Sequence, residues 1–204
     1  MSTRALGAAF TDAEMVVGFD TSPEMITMAR WISRHDNAIK KASNNIATFW
    51  KSKAFLMKNL PDFINIVEEM KNTLSVAVTE STTVFARGNA ERINLPSGSF
   101  DLVTIMYAFH EIPHAARYRI LRESRRLLKE GGILAIVDIS PEYTPTEMML
   151  AGEPYVIEYQ KNICKQLSLA RGFANYQFRT VIPGHVEMWT LTREKRKNNV
   201  ASFQ

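Results

Sequence analysis

Residues His110 to His114 spell a pattern, H-E-x-x-H, that could bind a metal ion. In zinc peptidases the two histidines of this pattern lie on one helical face and the glutamate stands beside the metal. That geometry needs an uninterrupted helix, whereas this string follows an apolar run directly and holds Pro113 between its histidines. We therefore predict no metal site here and interpret His110 and Glu111 as candidate proton-transfer groups.

Asp20 is a second candidate for chemistry, because it ends the apolar run of residues 15–19. In an open α/β sheet, ligands bind beyond the carboxyl ends of the strands, and an acid at the end of the second strand can accept hydrogen bonds from ribose hydroxyls. A nicotinamide dinucleotide would suit this acid as well as another ribose-containing cofactor would. A strand-ending aspartate can also simply cap a turn.

The elements that must position these residues alternate between strands and helices. Strands are predicted over 15–20, 83–87, 100–107, 133–139, 177–182 and 186–192. Helices are predicted over 4–10, from Pro23 onward, over 114–129 and through most of 146–172. The last two strands flank Pro183-Gly184 and form a hairpin. This order predicts an α/β fold whose mostly parallel sheet ends in an antiparallel hairpin.

Residues 36–80 interrupt that alternation with a long segment that has no strand signal. Apolar residues recur there at spacings of three and four, at Leu56, Leu60, Phe63, Val67, Met70 and Leu74. Pro61 should divide the stripe into two helices. We predict a helical insertion that packs on the chain's own core; a lid over a pocket or a partner-binding surface are the alternatives.

Three blocks of residues follow one another along this pattern. They are V-G-F-D-T-S-P-E-M at 17–25, G-N-A-E-R-I-N-L-P at 88–96 with S-F-D-L-V at 99–103, and L-L-K-E-G-G at 127–132. Together they resemble class I S-adenosylmethionine-dependent methyltransferases, in particular the quinone and small-molecule group. The resemblance implies a Rossmann-like sheet, S-adenosylmethionine as cofactor, and in-line methyl transfer to a small-molecule acceptor.

The resemblance also assigns residues to the cofactor site. They are Asp20 for the ribose, Thr21 and Met25 beside the adenine, Asn89 and Ala90 at the adenine edge, and Tyr107 facing the cofactor. The family usually has aspartate at the position of Asn89. An asparagine carbonyl can still accept a hydrogen bond from the adenine amino group, and a turn role is the alternative for this residue.

The start of the chain departs from the family pattern. Residues 2–6 resemble the helix that follows the family's first strand and its D/E-x-G-x-G-x-G loop, and here only Met1 precedes them. We therefore expect an N-terminally truncated domain that lacks the central strand and the glycine loop. Such a chain should be marginally stable, should grip the cofactor weakly, and could self-associate through its open sheet or its helical insertion.

Composition sets broader limits. The 204 residues carry a formal charge of +4, and the run at 193–197 alone holds four positive charges and one negative charge. We predict a methyltransferase domain over 1–192, a basic flexible tail over 193–204, and no nucleic-acid partner. A single cysteine, Cys164, and the absence of an apolar stretch of about 20 residues predict a cytoplasmic protein without a transmembrane segment; an organelle address is the alternative.

The acceptor pocket is expected around residues 107–110 and around Glu153, Tyr155 and Tyr159. The aromatic rings of the two tyrosines suit an aromatic or apolar acceptor. Helix packing would explain these rings equally. His110 is the first candidate base and Glu111 the second. Three alternatives remain open: a non-catalytic methyltransferase-like fragment or subunit, an NAD-dependent dehydrogenase, and a zinc peptidase.

Overall fold

The structure is a computed structural model that describes residues 2–10, 12–34 and 82–195. It divides into two compact units, residues 1–93 and residues 94–204. The predicted helical insertion over 36–80 lies outside the described residues, as does the basic tail from residue 196 onward. Hydrogen bonds join the described strands into two sheets, where the sequence suggested a single one.

The described residues of the first unit form two helices and a parallel pair of strands: α1 (Ser2–Ala9), β1 (Met15–Asp20), α2 (Pro23–Arg34) and β2 (Thr82–Arg87). The strands pair in register from Met15 opposite Thr82 to Asp20 opposite Arg87. Ser22 caps α2, since its Oγ accepts a hydrogen bond of 3.1 Å from the backbone N–H of Met25, and Pro23 suits the first helical position. The unit's buried apolar residues include Phe10, Ile26, Phe85 and Ile93.

The second unit has a four-stranded sheet in the order β3-β4-β6-β5. Its elements are β3 (Phe100–Met106), a 3-10 turn (Phe109–Glu111), α3 (His114–Leu127), β4 (Leu128–Ile139), α4 (Glu147–Gly152), α5 (Val156–Ser168), β5 (Phe173–Ile182) and β6 (Val186–Arg193). β3 and β4 run parallel, whereas β6 is antiparallel to both β4 and β5. The predicted C-terminal hairpin is confirmed.

Strand β4 begins five residues earlier than predicted, but its first part leaves the sheet. The ladder with β3 passes from Leu128 directly to Ile133. Gly131 has a φ of +81°, which suits glycine. A Cβ on Gly132 would lie 2.9 Å from the carbonyl oxygen of Lys129 and 3.1 Å from that of Asp101. The double glycine therefore permits this excursion between helix and strand.

The core of the second unit lies between its sheet and helices α3 and α5. Its largest fully buried apolar side chains are Trp189, Tyr159, Phe109, Leu128, Leu134, Ile136, Ile163, Leu167, Leu191 and Val156. Six of these ten come from β4, β6 and the 3-10 turn. The core thus fixes the strands and the turn that carry the polar residues described below.

Other boundaries also differ from the sequence prediction. β5 begins at Phe173, before the predicted start at residue 177. Arg193, the first residue of the predicted flexible tail, is the last residue of β6 and donates to the carbonyl oxygen of Leu128. Within the residues that the structure describes, none of the helices has the length and hydropathy required to cross a membrane.

Candidate active site

The turn that follows β3 carries the most unusual backbone of the second unit. Tyr107 has a φ of +49°, a conformation that is costly for a bulky residue and that clusters at functional sites. Its backbone N–H donates to the carbonyl oxygen of Val137 at 2.8 Å, which fixes it at the end of the parallel strand pair. The chain then enters the 3-10 turn, where Phe109 is fully buried and His110 follows.

His110 is held by a buried carboxylate. Its side chain is 7% exposed, and its Nδ1 lies 2.5 Å from Oδ1 of Asp138, which has no exposed side-chain surface. A carboxylate can only accept, so Nδ1 carries the proton and donates it to Asp138. In the neutral imidazole, Nε2 therefore keeps its lone pair.

Asp138 organises the turn as well as the imidazole. Its Oδ2 accepts from the backbone N–H groups of Phe109 at 2.8 Å and His110 at 3.3 Å, and its Oδ1 also accepts from the N–H of Ile139 at 2.8 Å. These bonds compensate the cost of burying a charge in β4. Position and tautomer of His110 are therefore both set by one residue.

The charges around the imidazole decide its basicity. Burial alone lowers the pKa of His110. The hydrogen bond to Asp138 and the negative charge of that residue raise the pKa, and Glu153 and Glu111 add smaller contributions. Together they outweigh burial, so the pKa of His110 lies above its usual value. Partial burial raises the pKa of the Tyr107 phenol, and the charge of Asp138 raises it further. The site therefore favours positive charge or a proton donor beside the imidazole.

Two further carboxylates face the free side of the imidazole. Nε2 of His110 lies 3.5 Å from Oε2 of Glu153 and 3.6 Å from Oε1 of Glu111. The Oε2 atom of Glu153 is buried and has no hydrogen-bond partner among the described residues. Glu153 directly follows α4, where its N–H donates to the carbonyl oxygen of Met149 at 2.8 Å, and Glu111 is mainly exposed. The imidazole thus opens toward the surface between two acids.

Arg117 of α3 stabilises the 3-10 turn through hydrogen bonds. It is fully buried, and its Nη1 donates to the carbonyl oxygens of Phe109 at 3.3 Å and Ile112 at 2.5 Å. Its Nη2 donates to Glu158 at 2.5 Å and its Nε to Gln166 at 2.9 Å. This one side chain therefore ties the 3-10 turn to helix α5. Sequence reasoning missed it, although an arginine on the apolar side of a helix was a visible signal.

The other predicted site residues lie in the first unit. Asp20 ends β1 as predicted, and its Oδ1 accepts from the N–H of Ser22 at 2.8 Å. No described residue donates a hydrogen bond to its second oxygen, Oδ2. Thr21 is exposed and its carbonyl oxygen accepts from Arg87 at 3.1 Å. Met25 is half-exposed in the first turn of α2. Asp20 therefore offers an oxygen that fits a ribose hydroxyl.

Asn89 occupies a turn. Its Oδ1 accepts from the N–H of Glu91 at 2.9 Å, and its own carbonyl oxygen accepts from the N–H of Arg92 at 2.9 Å. This is the turn role that the sequence left open, although a carbonyl oxygen has two lone pairs and can accept a second bond. Ala90 is exposed beside it. Gly88 precedes the turn, and a Cβ there would lie 2.8 Å from the ring of Phe19.

This geometry confirms one sequence expectation and corrects another. His110 lies in the 3-10 turn and His114 begins α3, so the two histidines do not share a helical face; His114 is exposed and its Nδ1 lies 3.2 Å from Glu158. Tyr159 is fully buried and donates through its hydroxyl to the carbonyl oxygen of Ile139 at 2.8 Å. It is a packing residue, not a pocket surface.

Comparisons with known proteins agree with this fold. Residues 61–136 match the protein family described as "Methyltransferase domain". A SAM-dependent methyltransferase from Methanosarcina mazei superimposes with a TM-score of 0.52 at 13% identity, over 95% of this chain and 86% of that one. At this identity the likeness concerns the fold. The chain therefore has a fold seen in S-adenosylmethionine-dependent methyltransferases, and its residues 61–136 resemble a methyltransferase domain.

Curated relatives of the methyltransferase domain share shorter stretches. Phthiotriol/phenolphthiotriol dimycocerosates methyltransferase 1 of Mycobacterium ulcerans is 40% identical over 72 residues, 34% of this chain and 26% of that protein. The mitochondrial 2-methoxy-6-polyprenyl-1,4-benzoquinol methylase of Caenorhabditis elegans is 30% identical over 118 residues, 55% of this chain and 39% of that protein. The chain thus spans about a quarter to two fifths of these relatives.

Proposed function

We propose that this chain transfers a methyl group from S-adenosylmethionine to a hydroxylated small-molecule acceptor, with His110 as the general base. The observation that carries the proposal is the buried hydrogen bond of 2.5 Å between His110 and Asp138. It leaves Nε2 of a neutral imidazole unprotonated and directed away from the core, which is the arrangement that a base requires.

Each residue has a stated task in this proposal. When bound, S-adenosylmethionine supplies an electrophilic methyl group on its sulfonium. His110 takes the hydroxyl proton of the acceptor at Nε2, and Asp138 holds the imidazole in the productive tautomer and stabilises the imidazolium that forms. Glu111, the second candidate base, is exposed and lies 3.6 Å from Nε2. In this proposal it adds negative charge beside the imidazole and does not take the proton.

The acceptor proposed is a benzoquinol or a related phenol. The relative from Caenorhabditis elegans is named a benzoquinol methylase. A base would help with such an acceptor, because removal of a phenolic proton increases the electron density of the ring and its oxygen. Three carboxylates, from Asp138, Glu153 and Glu111, lie around the imidazole. An anionic acceptor would be repelled there, so a neutral proton donor is the better ligand.

Cofactor binding is assigned to the predicted residues of the first unit. We propose that Asp20 binds the ribose hydroxyls, because its Oδ2 accepts no other bond from the described residues. In this proposal the adenine is bordered by Thr21, Met25, Asn89 and Ala90. Asp20 should dominate the affinity, since it is the one charged acceptor of this set.

The proposal is tested by methyl transfer itself. The protein is incubated with S-adenosylmethionine labelled in its methyl group and with a short-chain 1,4-benzoquinol, and the labelled product is extracted and identified. We expect labelled methylated quinol. Cofactor binding without label in this acceptor or in a panel of substituted phenols would contradict the proposal and favour a non-catalytic methyltransferase-like subunit.

A further inference from the structure

Three ligand atoms, two from the 3-10 turn and one from the residue after α4, converge in the second unit. They are Nε2 of His110, a carboxylate oxygen of Glu111 and Oε2 of Glu153, and all lie within 4.8 Å of one another. We propose that these three side chains bind one divalent transition-metal ion of the zinc class. This set differs from the H-E-x-x-H pattern, because Glu153 replaces His114.

The imidazole is prepared for a metal by its other nitrogen. Metal-binding histidines almost always donate their second ring N–H to a carboxylate or a carbonyl, which fixes the tautomer and increases the basicity of the ligand nitrogen. Nδ1 of His110 donates to Asp138 in this way. The imidazole is more than nine-tenths buried, and no described residue forms a hydrogen bond with Nε2. A buried lone pair therefore points at two carboxylates.

The distances fit an ion better than hydrogen bonds. The separations of 3.5 Å and 3.6 Å from Nε2 to Glu153 and Glu111 exceed the usual range of N–H···O bonds, which ends at about 3.2 Å. When ligands lie about 2.0–2.2 Å from a tetrahedral ion, two ligand atoms are about 3.3–3.6 Å apart. The two distances from Nε2 therefore match the edge of a zinc coordination tetrahedron.

The charges of the cluster also call for a cation. Oε2 of Glu153 is buried and receives no donor from the described residues, and Glu111 adds a second negative charge beside it. An ion would satisfy both oxygens. One imidazole and two carboxylates form a mixed nitrogen and oxygen set that suits zinc and its transition-metal neighbours better than magnesium or calcium, which prefer oxygen ligands alone. The exposure of Glu111 leaves an approach and a fourth position open.

A bound ion would be coordinated by Nε2 of His110, the atom that we assign to proton transfer. His110 can serve as a base only where Nε2 carries no metal, so the ion should inhibit methyl transfer. This inhibition rests on the proposed function, whereas binding of the ion does not. Measurement of metal binding alone therefore tests the site even if the acceptor or the reaction is assigned wrongly.

The experiment is calorimetric titration of the metal-free 204-residue protein with zinc chloride. We expect one site per chain. Glu153→Gln and Glu111→Gln should each weaken it roughly tenfold or more, on the scale by which even outer-shell partners affect affinity. His114→Ala is the matched control and should leave the site intact, because His114 contacts Glu158 instead. Circular dichroism melts check that each variant is folded.

Three results would overturn the site: no zinc binding by the unchanged protein, zinc binding of equal affinity in folded Glu111→Gln and Glu153→Gln proteins, or loss of the site in His114→Ala. Glu111 is mainly exposed, so its substitution leaves the core untouched. If Glu153→Gln unfolds, the Glu111→Gln result alone decides between a zinc site at His110 and binding of zinc to other residues of the chain.

Discussion

Asp138 shows how one side chain can set both structure and chemistry. It lies within the apolar strand run of residues 133–139, is completely buried, and accepts four hydrogen bonds from Phe109, His110 and Ile139. Two of these bonds form the 3-10 turn, and a third sets the histidine tautomer. Because a buried charge without partners would be costly, the acid and the turn require each other.

Asp20 should control cofactor affinity. Asp20→Ala is expected to weaken S-adenosylmethionine binding by about 1.5–3 kcal/mol, because it removes a charged acceptor from the ribose. Calorimetric titration measures the loss. Asp20→Asn separates the two roles of this residue, since its amide oxygen can still accept from the N–H of Ser22 while the charge is gone. Equal dissociation constants in all three proteins would remove Asp20 from the site.

Asn89 provides a sharper test, because its turn and its ligand role can be separated. Asn89→Asp preserves an oxygen that can accept from the N–H of Glu91, so the turn should survive and cofactor affinity should be equal or higher. Asn89→Ala removes the turn contact and should cost about 0.5–1.5 kcal/mol of stability, the net value of a hydrogen bond. Thermal melts and cofactor titration distinguish the two. Weaker binding by folded Asn89→Asp would contradict an adenine contact.

Sequence reasoning found some of these residues and missed others for physical reasons. Asp20 ends β1 and His110 lies in the turn shortly after β3, and strand ends are where ligands bind in this architecture. Asp138 stands inside a strand, and no pattern along the chain brings it beside a histidine 28 residues away. A lone acid in an apolar strand was nevertheless a signal, because such a group must have partners. Glu153 was placed near the acceptor, but its approach to Nε2 depends on the end of α4.

At the scale of elements, α3, α5 and the 3-10 turn are coupled through Arg117. Arg117→Met should destabilise the protein by about 3 kcal/mol, because it removes the hydrogen bonds to the carbonyl oxygens of the 3-10 turn and to Gln166, and it leaves Glu158 without this cation. Chemical denaturation measures this free energy of unfolding. Arg122→Met, an exposed position on the same helix, is the control and should change stability by about 0.5 kcal/mol or less. Equal effects of both substitutions would contradict the coupling.

Most elements could be predicted because their patterns are local. The predicted strand over 15–20, the helix from Pro23 and the C-terminal hairpin at Pro183-Gly184 are all present. The early start of β4 and the extension of β6 to Arg193 were missed. They depend on pairing with distant residues, such as the bond from Arg193 to the carbonyl oxygen of Leu128, and single-sequence patterns do not report such contacts.

At the scale of the whole molecule, the described residues form two units with separate sheets. The expected marginal stability and self-association stay predictions, as does the cytoplasmic location. Sedimentation of the protein over a range of concentrations measures association directly. A single monomeric species at all concentrations would contradict an open sheet edge that recruits other copies.

The central claim is that His110, held by Asp138, removes the acceptor proton during methyl transfer. Single-turnover measurement with labelled S-adenosylmethionine and a 1,4-benzoquinol separates cofactor binding from this step. For His110→Ala, we predict a transfer rate about one hundred- to ten-thousand-fold lower, which is the usual contribution of a general base. The cofactor dissociation constant should be unchanged. The control variant His114→Ala should be as active as the original protein. An undiminished transfer rate in folded His110→Ala would contradict the account.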